Sequence, residues 1–177
     1  GGHAALLRAV REHGPRDAWL AASVFRLLSE TLYNEARGSE VWASADGVLL
    51  TEALGWALHQ DSDGSAGGAL GCVCDVAALW VQRVTVRRPE AAQALVGVVP
   101  LLLARMAART DDAALLQHGC RLLYALGRSC QSWPEDARAP ALAALAQLAQ
   151  ARLLAQNPAL AQYVGLAFHA LQASPQP

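Results

Sequence analysis

The chain has 177 residues, the size of one domain built on one core, and sets 14 basic against 15 acidic residues for a net charge of −1. That balance lacks the basic surface that displaces counterions from nucleic acid, so no nucleic-acid partner is expected. All 14 basic residues are arginine, and without lysine the chain cannot house a P-loop lysine, the ATP-positioning lysine of a kinase or a Schiff-base lysine. Alanine (38) and leucine (29) dominate, whereas there are 13 valines, 4 threonines and no isoleucine, a composition that favours helix over strand.

Apolar residues recur at helical spacing along nearly the whole chain, and the interruptions carry helix start and stop chemistry. A first helix is expected from Ala4 to Glu12, ended by Gly14-Pro15. Asp17 opens a second, in which Trp19, Ala22, Phe25, Leu28 and Leu32 mark the covered face, and Gly38-Ser39 closes it. Val41 to Ala45 reads as a short helical turn. Gly47 introduces a third long helix with Leu50, Leu54 and Leu58 four apart, and the polar stretch HQDSDGSAGG ends it. Val73 to Val86 is strongly apolar around Trp80, with Arg83, Arg87 and Arg88 in its last turns, where cations meet the negative end of the helix dipole.

Pro89 and then Pro100 each suit a helix start, so Glu90 to Val98 and Leu101 to Ala108 are expected as separate helices. Thr110, Asp111 and Asp112 form a cap for a helix through Leu116, Cys120, Leu123 and Gly127. Ser132, Trp133, Pro134 and Glu135 match a capping box, Pro140 starts or bends the next helix, and Asn157-Pro158 is a cap with proline at the first helical position of a last helix ending near Ala173. Residues 1–173 thus read as one helical domain and residues 174–177 as a polar tail.

No membrane span is expected, because the longest apolar stretch, Ala94 to Ala104, is interrupted by glycine and proline and falls far short of the roughly 20 residues that cross a bilayer. Four cysteines, Cys72, Cys74, Cys120 and Cys130, lie inside apolar helical patterns with no signal peptide or glycosylation sequon, which points to a reduced, intracellular protein, cytoplasmic or nuclear. The abrupt start and the polar, proline-bearing end read as a segment of a larger protein.

Three glycine-led, leucine-rich segments repeat: GGHAALLRAVREH from Gly1, DGVLLTEALGWALH from Asp46 and GVVPLLLARMAAR from Gly97, with key glycines at Gly2, Gly47 and Gly97. A second helix follows the first and third, WLAASVFRLLSETL and LLQHGCRLLYALGR, and a further copy, LAALAQLAQARLLAQNPALAQYVGLAFHALQ, lacks the opening glycine. This period resembles armadillo and HEAT repeats, and the GVVPLLL element resembles the glycine, then proline, before an armadillo bend. The resemblance implies an all-α, right-handed α-solenoid (armadillo-like or HEAT-like superhelix) of about three to four repeats. In armadillo proteins that bind extended peptides, an asparagine near the end of the third helix holds the ligand backbone. Here Glu30 and Ala125 fall at those places, while Asn34 and Asn157 fall at a helix end and a cap, so the resemblance implies a surface used without an asparagine ladder.

No catalytic, cofactor or metal site is expected. His59, Asp61, Asp63 and Gly64 resemble part of a calcium loop, but the twelfth position is Leu70 or Cys72 where a bidentate glutamate is needed. Cys72 and Cys74 are two apart, about 200° around a helix, and His118 with Cys120 has the same problem, so neither pair closes on one metal. There is no G-x-S-x-G elbow and no phosphate loop. Trp42 and Trp133 sit in turns rather than apolar stripes and are the expected surface anchors; tryptophan and arginine are frequent interface hot spots. Arg83, Arg87 and Arg88 suit an acidic partner or phosphate equally well as dipole caps. The expected function is a protein-interaction or scaffold module binding a partner helix or peptide along the solenoid, with Trp42, Trp133, Arg83, Arg87, Arg88 and Glu30 as candidate contacts. The alternative is a purely architectural segment or an oligomerisation domain, with self-association into a homo-oligomer.

Overall fold

The computed structural model describes residues 2–13, 17–34, 44–60, 67–84, 90–130 and 132–173. They form α1 (Gly2–His13), α2 (Ala18–Asn34), α3 (Ser44–Gln60), α4 (Gly67–Val84), α5 (Glu90–Val96), α6 (Val99–Ala108), α7 (Ala113–Ser129), α8 (Glu135–Ala149), α9 (Arg152–Gln156) and α10 (Pro158–Ala173). The described residues contain no strand, as the composition predicts, and no helix among them is long and apolar enough to cross a membrane.

Local chemistry explains the starts of α2, α6 and α7. The Asp17 carboxylate accepts from the Leu20 backbone N–H at 2.9 Å, and Asp112 does the same for Leu115 at 2.9 Å, so each aspartate satisfies an otherwise orphaned donor of a first turn. Arg109 holds the Asp112 side chain in place from 2.8 Å. Pro100 stands within the first two residues of α6, where its missing N–H is harmless, and the chain bends at Gly97 and Val98 between α5 and α6.

The helices pack in two sets. In the first, α2 packs on α4, α4 on α7 and α7 on α10; in the second, α1 packs on α3, α3 on α5 and α6, and α6 on α8. Crossing contacts join α1 to α2, α3 to α4, α5 and α6 to α7, and α8 and α9 to α10. The buried side chains of the described residues form one apolar cluster that runs from Leu7 through Leu50, Leu54, Leu58, Trp80 and Leu123 to Leu171. Two arginines tie neighbouring helices together at their ends, one within the second set and one between the sets. Arg105 of α6 donates to the Leu58 and His59 carbonyls at the end of α3 (2.6 and 3.2 Å), and Arg138 of α8 donates to the Leu171 and Gln172 carbonyls at the end of α10 (3.0 and 3.3 Å). Both meet carbonyls that have no intrahelical partner.

Several expectations are corrected. Helix α4 begins at Gly67, six residues before Val73, because Leu70 is fully buried and Gly71 packs against the His118 ring, so tertiary contact overrides the poor helix propensity of glycine. No capping box forms at Ser132: the N-cap of α8 is Pro134, without a side-chain hydrogen bond, and its carbonyl accepts from the Ala137 and Arg138 N–H groups. Pro140 lies inside α8, where the Asp136 carbonyl it cannot bond is on an exposed turn open to water. Asn157 turns its amide back onto the Leu153 carbonyl at 2.9 Å and closes α9, a helix that the sequence did not separate.

The placement of Trp133 is also corrected. Its turn position suggests exposure, yet the side chain is 0 % exposed, because an indole buries a large apolar area wherever the chain lets it reach the core. Among the described residues its Nε1, like those of Trp56 and Trp80, has no hydrogen-bond partner, so apolar packing alone holds the ring. Trp133→Ala is therefore expected to lower the unfolding free energy in a urea titration by about 3–5 kcal/mol. A loss below about 1 kcal/mol would return the side chain to the surface.

Candidate functional site

Of the residues singled out in the sequence, Trp42, Arg87 and Arg88 lie outside the described residues, as do Asp61, Asp63 and Gly64 and the tail 174–177. Arg83 belongs to the last turn of α4, and its side chain is likewise outside the described set. Glu30 is exposed on α2 and accepts from Arg26 at 3.3 Å, one turn earlier. Ala125 is fully buried. The structure describes the side chains of two of the expected contacts, Glu30 and Trp133, the one exposed and the other buried.

It does bring together residues far apart in sequence across α4 and α7. Asp75 Oδ1 lies 2.8 Å from His118 Nδ1 and 3.0 Å from the Arg121 guanidinium, with all three side chains mostly covered. The His118 ring rests on Gly71, where a Cβ would stand 3.0 Å from its Cδ2. Arg121 supplies a charge-assisted hydrogen bond to Asp75, and the imidazole shares the same oxygen, making a polar tie between two otherwise apolar helices. Cys72 sits one turn before Asp75. Burial pushes its thiol up, the Asp75 carboxylate adds to this and Arg26 opposes it, so the thiol stays protonated and is a poor nucleophile. Among the described residues no group of three histidine, cysteine or acidic side chains could hold a metal ion.

Further along the same succession of helices, an open groove of about 460 Å³ lies between α7 and α10, lined by Tyr124, Gly127, Arg128, Cys130, Leu166, His169, Ala170 and Ala173. Gly127 makes it possible: a Cβ there would come within 3.0 Å of the Ala170 Cβ and 3.2 Å of the Leu171 backbone nitrogen, so the helices meet nearly backbone to backbone. Leu166 is 36 % exposed at its rim. Arg128 donates to the Tyr124 hydroxyl at 3.3 Å, a bond that raises the guanidinium pKa further. Burial pushes the Cys130 thiol up to about 12. A smaller, mostly apolar cavity of about 120 Å³ opens between α6 and α8 beside Met106 and Leu148.

No protein-family model, curated protein or solved structure matches this chain. Sequence reasoning missed Asp75 and Arg121, and weighed His118 only beside Cys120, because no local pattern links α4 to α7. The Tyr124 and Arg128 pair carried a signal, since residues four apart share a helix face.

Two outcomes check this geometry. Asp75→Ala removes the carboxylate that His118 and Arg121 share and is expected to destabilise the chain by about 1–3 kcal/mol in chemical denaturation; unchanged stability would show that the tie contributes nothing. Cys120 and Cys130, both pushed up to about 12 from an ordinary 9.0, keep their protons when folded while the unfolded chain releases them. Their stabilisation is thus fully present below pH 9.0 and declines as pH rises from there toward about 12. Denaturation at stepped pH should show a shallower alkaline decline in the double variant Cys120→Ala, Cys130→Ala than in the parent, and parallel curves would contradict the burial of these thiols.

Proposed function

We propose that the chain is an armadillo-like α-solenoid of about three to four repeats that serves as a protein-binding or scaffold module. The observation that carries this reading is the successive packing of α2, α4, α7 and α10, each on the next, beside α1, α3, α6 and α8. Nearest-neighbour packing of paired helices is how repeat arrays build one long surface from small units. The three glycine-led segments fall on α1, α3 and the turn into α6, elements that pack in that order. The succession of α5, α6 and α7, bent at Gly97 and Val98 ahead of Pro100, supports this reading, since such repeats are built of two or three helices.

On this reading the partner lies along the exposed side of α2, α4, α7 and α10. Arg26, Glu30, Gln82 and Arg128 are exposed there, and the Asp75 tie sets the spacing between the two central helices. The partner is a peptide or helix, with no cofactor and no catalytic step. The second reading, an architectural or self-associating segment of a homo-oligomer, draws on Val48, an apolar side chain that is 58 % exposed on α3.

The test is affinity capture with the purified chain at low and high salt, run beside two charge-reversed variants. Arg26→Glu with Arg128→Glu should lose the captured protein, whereas Arg8→Glu with Arg152→Glu, on α1 and α9, should retain it. Equal capture by both variants would contradict the assigned surface. An empty bait that forms a concentration-dependent dimer in sedimentation would contradict the binding module and favour the architectural reading.

A further inference from the structure

We propose that the groove between α7 and α10 receives an acidic peptide, a short segment that lays an apolar side chain against Leu166 and Tyr124 and sets a carboxylate on Arg128. This rests on the binding-module reading and gives its partner a chemistry. The groove, at about 460 Å³, is large enough for a few side chains, and its Gly127, Leu166 and Ala170 walls offer little but apolar surface.

Charge decides the occupant. Neither α7 nor α10 contains an aspartate or glutamate, and none occurs from Ala137 to the last residue. Among the described residues carboxylates meet Arg11 (Glu52), Arg26 (Glu30), Arg109 (Asp112), Arg121 (Asp75) and Arg138 (Glu135), whereas the exposed Arg8, Arg128 and Arg152 have none, and of these three Arg128 lines the groove between α7 and α10. Arg128 has no carboxylate partner among the described residues, and its guanidinium turns to the Tyr124 hydroxyl, which leaves donors of its planar fork open.

The dipole of α10 does not cancel this charge. Helix ends carry partial negative charge, but the last carbonyls of α10 are already met by the buried Arg138, which donates to Leu171 and Gln172 within a residue of the groove wall. His169 is exposed at the rim. A basic segment would face Arg128 without any compensating acid. A small inorganic anion would find a single guanidinium and no built cradle. An apolar side chain with a carboxylate beside it uses both halves of the groove.

The probe is a random peptide library displayed on phage and selected on the immobilised full chain, with Arg128→Glu selected in parallel. The expected result is enrichment of sequences that join Asp or Glu to a large apolar residue on the parent chain and not on the variant. A synthetic copy of an enriched peptide, followed by fluorescence anisotropy, should bind Arg128→Glu about tenfold more weakly or worse. Changing the peptide's acid to lysine should restore part of that loss on the variant and abolish binding to the parent, a charge swap that a folding defect cannot mimic. Enrichment of basic or uncharged peptides, equal selection on both chains, or no enrichment would overturn the groove assignment. Equal selection on both chains would leave the broader module reading standing, since it places a binding surface elsewhere, and the capture experiment decides that reading separately.

Discussion

The burial of α4 on two sides at once is the constraint on which the rest of the arrangement depends. Leu70, Val73, Cys74 and every residue from Val76 to Val81 are buried, more of the circumference than a helix covered on one side would hide. Two neighbours must therefore cover it, and α2 and α7 do so from opposite directions along the chain. Each fully buried large side chain contributes roughly 1.5–3 kcal/mol relative to exposure. Once α2, α4 and α7 are in contact, α10 adds by the same means, with Gly127 letting its backbone approach α7 closely.

Arginine supplies the polar counterpart to this apolar succession. With no lysine in the chain, each cation is a planar fork suited to paired acceptors. Arg105 and Arg138 spend theirs on carbonyls at the ends of α3 and α10, and Arg121 holds Asp75 beside His118. The same side chain type thus serves inside the stack and at its surface, and the difference lies in whether an acceptor is within reach. Arg128 is left facing an acid-free groove, and that asymmetry gives the surface a chemical preference.

Much of the fold was legible in the sequence, and the failures have specific causes. Leu50, Leu54 and Leu58, one turn apart, are all fully buried, and Asp17 and Asp112 cap the helices that follow them, because these features depend on local spacing and hydrogen bonding. Trp133 and the early start of α4 were misread because tertiary contact outweighed local preference at each, whereas Pro140 falls inside α8 and so does not start it. The site was far less legible. Asp75 meets His118 and Arg121 from 43 and 46 positions away, a separation that no local pattern encodes, whereas the absence of acids after Asp136 stood in the sequence and gained meaning only when α7 and α10 came together.

Hydrogen–deuterium exchange followed by mass spectrometry tests the central claim most directly, since protection reports how completely each helix is held by its neighbours. If α4 is the element clasped from both sides, its amides from Leu70 to Val81 exchange slowest together with those of α7, and the short α9, which has no buried residue, exchanges first. Exchange across α4 as fast as across α9 would contradict the account.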